Sequence, residues 1–303
     1  MIKRILNKLE SIYKYRYFSL KEKGAYNFLV DKIYKSTDID FIESAWKLDH
    51  FREVLVPQEL DLENLKNILV LAPHQDDESI GCGGTLIKLA EKGCKITIAF
   101  LTDGAELSNP INSIPIRKKE AEQVASKLNA SIENIGIDNV SMNITTKHFD
   151  DLVSLLNKEW SAVFSVWPID QPPKHRVCSY FFGKSLKASN YSGTIINYAV
   201  HTDLLPNFYV DISKEIENKQ KLLSLYSSQM DAQNYMHLSK GLDAWRSRYL
   251  KSSPKERYIE TFLKIPTKGY QDFQNVYEKS NANQLFKGNE YCLKAFDKLK
   301  KMV

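Results

Sequence analysis

Residues 67–84 have the sequence NILVLAPHQDDESIGCGG, and this stretch decides the fold class. The first six of them, Asn67 to Ala72, are almost all apolar, which indicates a strand buried on both faces of a parallel sheet. A loop rich in acidic residues follows, and its glycines lead into a predicted helix over 85–92. A strand, a polar loop at its carboxyl end and a helix form the repeating unit of open α/β sheets.

The same alternation continues along the chain. Short apolar runs predict further strands over 95–101, 162–167 and 194–200. Helical spacing of apolar residues predicts helices over 116–128, 149–160 and 176–188. Strands separated by helices of this length are typical of a doubly wound, mostly parallel, Rossmann-like α/β sheet.

The two ends of the chain have a different, mostly helical pattern. We therefore predict a helical N-terminal extension over 1–65, an α/β domain over 66–265 and a helical C-terminal extension over 266–303. We expect the chain to be mostly helical from Ile212 to its end.

The net charge of +5 is unevenly distributed, with +6 in residues 1–35 and −4 in residues 36–280. A nucleic-acid-binding protein normally carries a basic patch on its folded body, so this class is disfavoured. The basic segment 1–35 has two interpretations, a helical cap with a solvated basic face or a peripheral contact with an anionic membrane surface.

No apolar run is long enough to span a bilayer, and no secretory signal is recognisable. The four cysteines are scattered without a C-x-x-C pair, which favours reduced thiols. We therefore expect a cytoplasmic protein, with association at the cytoplasmic face of a membrane as the alternative.

The loop after the first strand holds an imidazole and three carboxylates within five residues: His74, Asp76, Asp77 and Glu78. Acidic groups would repel a phosphate, so a nucleotide cradle is disfavoured for the glycines that follow. Capping of the next helix explains one acid but not the whole set. A single Zn²⁺ ion suits this set, with His74 and Asp77 as ligands and Asp76 facing the metal-bound water. A thiolate ligand from Cys82 stays open, beside a simple packing role.

The stretch APHQDDESIGCGG resembles the His-Pro-Asp-Asp-Glu motif of the PIG-L/LmbE-like family, which comprises metal-dependent N-acetylglucosaminyl de-N-acetylases. Gln75 stands where the motif has proline. The resemblance implies that His74 and Asp77 bind zinc and that Asp76 is the general base. It places Glu78 as a supporting residue behind the ligands. It also implies an LmbE-like version of the doubly wound fold.

Residues 168–175, with the sequence PIDQPPKH, resemble the His-x-x-His segment of that family. The resemblance implies that His175 is the third zinc ligand. Pro172 occupies the position of the first histidine, which steadies the oxyanion in the family, and Lys174 replaces an aspartate. Gln171, Lys174 and His201 are candidates for the missing role, and we rank His201 first because an imidazole can donate in either protonation state.

Two further residues are assigned by resemblance alone. Arg117, in an Arg-x-x-Glu pattern, and Asp138, in a turn, match substrate-contacting positions of the family. The resemblance covers roughly residues 66–264.

Together these features predict a zinc-dependent deacetylase that hydrolyses the N-acetyl amide of an N-acetylhexosamine conjugate. The expected partner is a small-molecule or glycolipid sugar, and the sequence carries no sign of oligomeric state. The alternative is a catalytically degenerate sugar- or metal-binding module, because Pro172 and Lys174 depart from the motif. A nucleotide- or S-adenosylmethionine-dependent transferase would fit the strand, glycine loop and helix, but not the acidic cluster.

Overall fold

The computed structural model describes residues 57–106, 108–230, 233–286 and 288–302. Within these ranges eight strands form one mixed sheet in the order β1-β7-β8-β6-β5-β2-β3-β4. The strands are β1 Gln58–Glu59, β2 Asn67–Ala72, β3 Lys95–Thr102, β4 Ser131–Ile137, β5 Ala162–Val166, β6 Thr194–Tyr198, β7 Phe208–Asp211 and β8 Ile259–Pro266.

Helices connect these strands and complete the C-terminal part of the described chain. They are α1 Asp77–Glu91, α2 Pro110–Lys127, α3 Thr146–Leu156, α4 Pro173–Ala188, α5 Ile216–Leu223, α6 Ser227–Met230, α7 Tyr235–Arg246, α8 Thr267–Lys279, α9 Ala282–Leu285 and α10 Glu290–Lys301. A short 3₁₀ turn, Ser247–Tyr249, follows α7. In the described residues, no helix has the length and apolar character needed to cross a membrane.

Strand β2 lies at the point where the direction of winding changes. It pairs in parallel with β3 on one side and with β5 on the other. The carboxyl ends of β2 and β5 therefore lie side by side at a topological switch point, where open α/β sheets bind their ligands. Only β8 runs against the others: it is antiparallel to both β6 and β7.

Both faces of the central strands are buried, which explains the continuous apolar run in β2. Leu69 and Leu71 pack into one apolar cluster, with α3, α4, α8 and α10. Ile68 and Val70 point to the opposite face and pack into a second cluster, with α1, α2 and α5. Successive side chains of a strand alternate between faces, so a strand covered on both sides contains few polar residues.

Helix α1 begins earlier than predicted and contains a kink. It starts at Asp77 rather than near residue 85, and Cys82 inside it has non-helical backbone angles. Beyond the kink, the buried Glu260 carboxylate of β8 accepts hydrogen bonds from the backbone N–H groups of Gly84 and Thr85, at 2.8 and 2.7 Å. Glu260 thus caps a second helical start close to the predicted one.

The predicted α/β fold class is confirmed, and the observed elements show where the sequence interpretation was too simple. The expectation of mostly helix after Ile212 is confirmed for the described residues except at β8, which is a strand in the interior of the sheet. Strand β4, at the sheet edge, was not predicted. Of the predicted N-terminal helical extension, residues 1–56 lie outside the described residues, and 57–65 contain β1 and no helix.

Candidate metal centre and active site

The two predicted ligand segments meet at the carboxyl edge of the sheet. His74 and Asp77 lie in the loop after β2 and at the first residue of α1. His175 lies in the first turn of α4, after β5. Because β2 and β5 are neighbouring parallel strands, residues separated by about a hundred positions come together.

Three side-chain atoms of these residues form a nearly equilateral triangle. His74 Nδ1 lies 3.2 Å from His175 Nε2 and 3.2 Å from Asp77 Oδ2. The third distance, from His175 Nε2 to Asp77 Oδ2, is 3.3 Å. Both Asp77 and His175 are almost fully buried. Among the described residues, this is the group of histidine, cysteine and carboxylate side chains that converges closely enough to hold a metal ion.

The hydrogen bonds behind the two imidazoles fix their protonation. His175 Nδ1 lies 2.8 Å from the buried carboxylate of Asp170 and donates to it. His74 Nε2 lies 2.9 Å from Asn139 Oδ1. The amide of Asn139 donates through Nδ2 to the carbonyl of Ala105, so its oxygen must accept from His74. His74 Nδ1 and His175 Nε2 therefore both carry lone pairs.

Two lone pairs and a carboxylate oxygen at these distances repel one another unless a positive charge lies among them. Zinc bonds to nitrogen and oxygen of about 2.0–2.1 Å in a tetrahedral site imply spacings of about 3.3–3.4 Å between ligand atoms. The observed spacings are close to this value. The donor set thus fits one divalent cation, and carboxylate or carbonyl partners behind each histidine are typical of metal sites.

The electrostatics of the site also favour a positive charge. Burial acts to raise the pKa of Asp77, but His175 and His74 outweigh it and hold that pKa well below its ordinary value. Burial acts to lower the pKa of His175, but the Asp77 and Asp170 carboxylates outweigh it, and the pKa lies above its ordinary value. The surroundings therefore stabilise a cation, whether a proton or a metal, between these groups.

Asp76 is buried beside the ligands and has a strained backbone. Its φ angle of 134° is unusual for any residue other than glycine. In the described residues no donor reaches its carboxylate, which is left free for a bound water or substrate. Burial and the charge of Asp77 raise the pKa of Asp76, while Arg117 opposes them. Strain of this kind is typical of functional residues that the surrounding structure holds in place.

Glu78 is fully buried and faces away from the ligand triangle. It accepts hydrogen bonds from the hydroxyls of Ser79 and Tyr226, at 2.6 and 2.8 Å, and from the backbone N–H of Asp76, at 3.3 Å. Burial raises the pKa of Glu78. Its contacts support the strained loop around Asp76 rather than a ligand directly. Cys82 lies behind it: the thiol is buried and donates to the Glu78 carbonyl.

The Arg-x-x-Glu pair of α2 binds the segment around α6. Arg117 donates through Nη2 to Glu106 at 3.0 Å and to Gln229 at 2.5 Å. Glu120 accepts from the hydroxyls of Ser227 and Ser228. The Arg117 side chain also passes over Gly104, where a Cβ atom would lie 2.7 Å from its Cδ. Its guanidinium is held in place at the mouth of the site.

Asp138 and Asn139 have different environments although they are neighbours. Asp138 is exposed, and its Oδ1 accepts from the backbone N–H groups of Val140 and Ser141 at 2.7 and 3.0 Å. Asn139 is buried and contacts His74. The turn predicted for substrate contact thus also supplies Asn139, which contacts the candidate ligand His74, and substrate contact by Asp138 stays a prediction.

The position of the absent first histidine is filled by Pro172, which precedes α4 and has no polar side-chain atom. Among the three candidates for its role, His201 lies beside a proposed metal ligand: its ring centre is 5.3 Å from that of His175. Lys174 is partly buried, which lowers its pKa, and Gln171 is exposed. Tyr235 lies on the other side of His201, with ring centres 6.1 Å apart.

Comparison with known proteins finds a family model that matches the part of the chain holding this site. Residues 69–185 match the PIG-L family, described as GlcNAc-PI de-N-acetylase. The PIG-L match includes all three converging residues and Asp76, and it confirms the family resemblance predicted from the sequence. It ends in α4, so the C-terminal strands and helices lie beyond it.

A curated relative and a solved structure are similar to this chain over longer stretches. Diacetylchitobiose deacetylase of Thermococcus kodakarensis is 24% identical over 196 residues, which cover 55% of this chain and 71% of that protein. The structure of N,N'-diacetylchitobiose deacetylase from Pyrococcus horikoshii, bound to an inhibitor, superposes with a TM-score of 0.59 at 23% identity, over 82% of this chain and 95% of that one.

A second solved structure shows that the fold alone does not decide the reaction. The 4-carboxy-2-hydroxymuconate hydratase of Pseudomonas putida superposes with a TM-score of 0.56 at 16% identity, over 66% of this chain and 96% of the other. Function must therefore be argued from the site.

Three residues of the site were not predicted from the sequence: Asp170, Asn139 and Tyr235. Asp170 lies inside the quoted segment 168–175, and a carboxylate five residues before a predicted ligand histidine was the available signal. Asn139 carried no comparable signal, because amide side chains are common in turns. Tyr235 belongs to a distant helix, and only the packing of α7 brings it to the site.

Proposed function

We propose that this protein is a zinc-dependent deacetylase that hydrolyses the N-acetyl amide of an N-acetylhexosamine conjugate. The observation that carries the proposal is the triangle of His74 Nδ1, Asp77 Oδ2 and His175 Nε2. Beside it lies Asp76, whose backbone is strained and whose carboxylate accepts no hydrogen bond from the described residues. A ligand set of two imidazoles and one carboxylate is that of catalytic zinc sites, which keep a position open for water.

When bound, zinc would lower the pKa of a coordinated water and polarise the amide carbonyl. His74, Asp77 and His175 would hold the ion. Asp76 would accept the proton of the attacking water and then deliver it to the nitrogen of the leaving amine, which departs poorly unless it is protonated. Its carboxylate, to which no described side chain donates, is free for both steps. Acetate and the free amino sugar are the products.

The remaining predicted residues have supporting roles in this proposal. His201 would donate a hydrogen bond to the developing oxyanion, a contribution that typically accounts for about 10²–10³ in rate. Arg117 and Asp138 would contact the sugar, and Glu78 would hold the Asp76 loop in place. The catalytic unit is proposed to extend over residues 66–265.

The amino-sugar substrate is supported by the relatives, which by name act on diacetylchitobiose. The alternative of a binding module without catalysis would require no general base. The buried carboxylate of Asp76 favours the enzyme, because a protein that only binds needs no general base beside its metal site.

Mass spectrometry tests the proposal directly. Zinc-loaded protein is incubated with a panel of N-acetylglucosamine conjugates, and each conjugate is examined for loss of its acetyl group. Deacetylation of at least one conjugate, abolished by a chelator, is the expected result. Zinc binding without deacetylation of any conjugate would favour the binding module.

A further inference from the structure

Gln75 stands between the candidate ligand His74 and the proposed base Asp76, and its side chain is only 3% exposed. The amide donates through Nε2 to the backbone carbonyl of Thr102 at 3.2 Å. This bond determines the orientation of the amide, because the opposite orientation would bring two oxygen atoms together. The acceptor Oε1 therefore points away from Thr102, towards Gly104 just after β3.

Two polar atoms without partners lie together at Gly104. A Cβ atom at this glycine would lie 2.2 Å from Gln75 Oε1 and 2.7 Å from Arg117 Cδ. The nitrogen Nε of Arg117 is bonded to that Cδ. In the described part of the chain, Gln75 Oε1 and Arg117 Nε are both buried and neither has a hydrogen-bond partner. A buried acceptor and a buried donor therefore lie on the same side of Gly104.

The remaining nitrogens of the Arg117 guanidinium have different environments. Nη2 donates to Glu106 Oε1 at 3.0 Å and to Gln229 Oε1 at 2.5 Å. Nη1 has no partner among the described residues, and it is not one of their enclosed polar atoms. Nη1 is thus the nitrogen of this group that is left for a sugar hydroxyl.

We propose that Gln75 is a positioning residue, whose Oε1 accepts a hydrogen bond from Arg117 Nε–H and so directs Nη1 towards the substrate. This inference rests on the proposed function, in which Arg117 contacts the sugar. Leaving a buried donor and a buried acceptor unpaired is unfavourable, and the two satisfy each other when they pair. The bond involves a charged donor, which places it among the stronger hydrogen bonds.

The contact is a departure of this chain from the family motif. The motif has proline where this chain has Gln75, and a proline side chain has neither a donor nor an acceptor. The amide thus connects the loop of His74 and Asp76 to the position of Arg117. We expect its loss to weaken substrate binding rather than to slow the chemical step.

Exchange of the Arg117 Nε proton with water tests the contact without any turnover. The zinc-loaded chain is prepared with isotope-labelled arginine and examined by NMR, and the Arg117 signal is identified by its absence in Arg117→Lys. In Gln75→Met, which keeps the length of the side chain and removes the acceptor, exchange is expected to be faster by about tenfold. Equal exchange rates in the wild type and Gln75→Met would overturn the inference.

The kinetics of amine release test the consequence for the substrate. The probe is diacetylchitobiose, on which the relatives act by name. In Gln75→Met, KM is expected to rise about tenfold while kcat stays within a factor of about two, because the lost contact serves the ground state and the transition state alike. Gln75→Pro, which introduces the residue of the motif, is expected to change KM in the same way. An unchanged KM in both variants would overturn the inference.

A double substitution separates positioning from damage to the metal loop. In the Arg117→Met background, a further Gln75→Met substitution is expected to leave KM unchanged, because the two residues act as one unit. Zinc content is measured on each sample, and Gln75→Pro takes the place of Gln75→Met if the latter loses the metal. An undiminished effect of residue 75 without the guanidinium would show that Gln75 acts on the loop itself, and would overturn the inference.

Gln274→Met is the matched control. Gln274 of α8 is also buried, donates through Nε2 to a backbone carbonyl, that of Ser179 at 3.4 Å, and has an Oε1 without a partner in the described residues. Its replacement is expected to leave KM and the exchange of the Arg117 Nε proton unchanged. A change as large as that in Gln75→Met would mean that loss of any buried amide has this effect, and would overturn the inference.

The two proposals fail in different ways. Absence of amine release by the wild type would contradict the deacetylase, and the exchange measurement would still decide the role of Gln75. Amine release by the wild type, with KM and proton exchange unchanged in the variants of residue 75, would leave the deacetylase standing and remove the role of Gln75.

Discussion

Asp170 shows how one buried carboxylate organises the candidate metal centre. Its Oδ2 accepts from His175 Nδ1, and its Oδ1 accepts from the backbone N–H of Thr202 at 2.8 Å. The same oxygen lies 3.2 Å from the backbone nitrogen of His201. Asp170 therefore orients a metal ligand and the loop of the proposed oxyanion donor together.

Replacing Asp170 is expected to weaken zinc binding without abolishing it. Asp170→Asn removes the negative charge behind His175, and partners of this kind typically contribute 10- to 100-fold in metal affinity, so a loss of about this size is expected. Competition with a chromogenic chelator measures it. Asp138→Asn is the control, because Asp138 accepts from backbone N–H groups of its own turn. Equal affinity in the two variants would contradict the role of Asp170.

At the level of helices and strands, β8 connects the fold to the site. Glu260 of β8 caps the second part of α1 and forms a buried ion pair with Lys219 at 2.8 Å. Lys219 also pairs with Asp243 of α7 at 2.6 Å. This network joins β8, α1, α5 and α7, so it positions both the metal-site helix α1 and the helix that carries Tyr235.

The Glu260→Gln variant is expected to be strongly destabilised. Neutralising one member of a buried ion-pair network leaves the others uncompensated, and a loss of about 3 kcal/mol in the free energy of unfolding is expected. Urea unfolding measures the change. The control is Glu217→Gln, which removes an exposed ion pair with Lys240 and should leave the urea midpoint close to that of the wild type. Similar midpoints for both variants would refute the structural role of Glu260.

Two glycines in helices, Gly81 and Gly241, differ in whether the structure has room for a larger side chain. A Cβ atom at Gly81 would lie 2.2 Å from the Tyr198 ring, whereas one at Gly241 would meet nothing within 4 Å. Gly81→Ala is expected to lower the free energy of unfolding by about 1–3 kcal/mol through overpacking. Gly241→Ala, in the interior of α7, is expected to raise it by about 0.5–1 kcal/mol. Thermal denaturation compares them, and a stabilised Gly81→Ala variant would disprove the close approach of α1 to β6.

The strands and helices that were predicted correctly are those whose own residues form a clear apolar pattern. Strands β2, β3 and β5 are apolar on both faces, and their helices have clear apolar spacing. Strand β4 lies at the sheet edge and carries polar residues such as Glu133 and Asn134. Strand β8 contains Glu260, whose burial depends on Lys219, so the sequence pattern contains no continuous apolar run there.

In the molecule as a whole, the site residues that form a local motif were predicted, whereas those brought in by distant segments were not. His74, Asp76 and Asp77 lie in one loop, and a motif of adjacent residues is recognisable from sequence. His175 was predicted as the third ligand because residues 168–175 resemble the His-x-x-His segment of the family. Asn139 and Tyr235 reach the site through packing of distant segments, and no local pattern predicts that. The interpretation of residues 1–35 stays a prediction, since these residues lie outside the described part of the chain.

Zinc is expected to stabilise the whole protein. The ligands come from the ends of two strands and meet in the folded state, so the ion binds the native protein in preference to the unfolded chain. Free zinc at a hundred times its dissociation constant would add about 2.7 kcal/mol to the free energy of unfolding. Differential scanning fluorimetry with and without chelator measures the shift in Tm. The same shift in His175→Ala would show that zinc acts elsewhere.

The most direct measurement of the central claim is amine release from an N-acetylglucosamine conjugate by zinc-reconstituted Asp76→Asn, with zinc content determined on the same sample. The account predicts about one zinc per chain and turnover lower than that of the wild type by about 10²–10⁴, because the ligands remain and the general base is lost. His74→Ala, measured in parallel, is expected to lose the zinc. Turnover of Asp76→Asn equal to that of the wild type, or full zinc content in His74→Ala, would contradict the account.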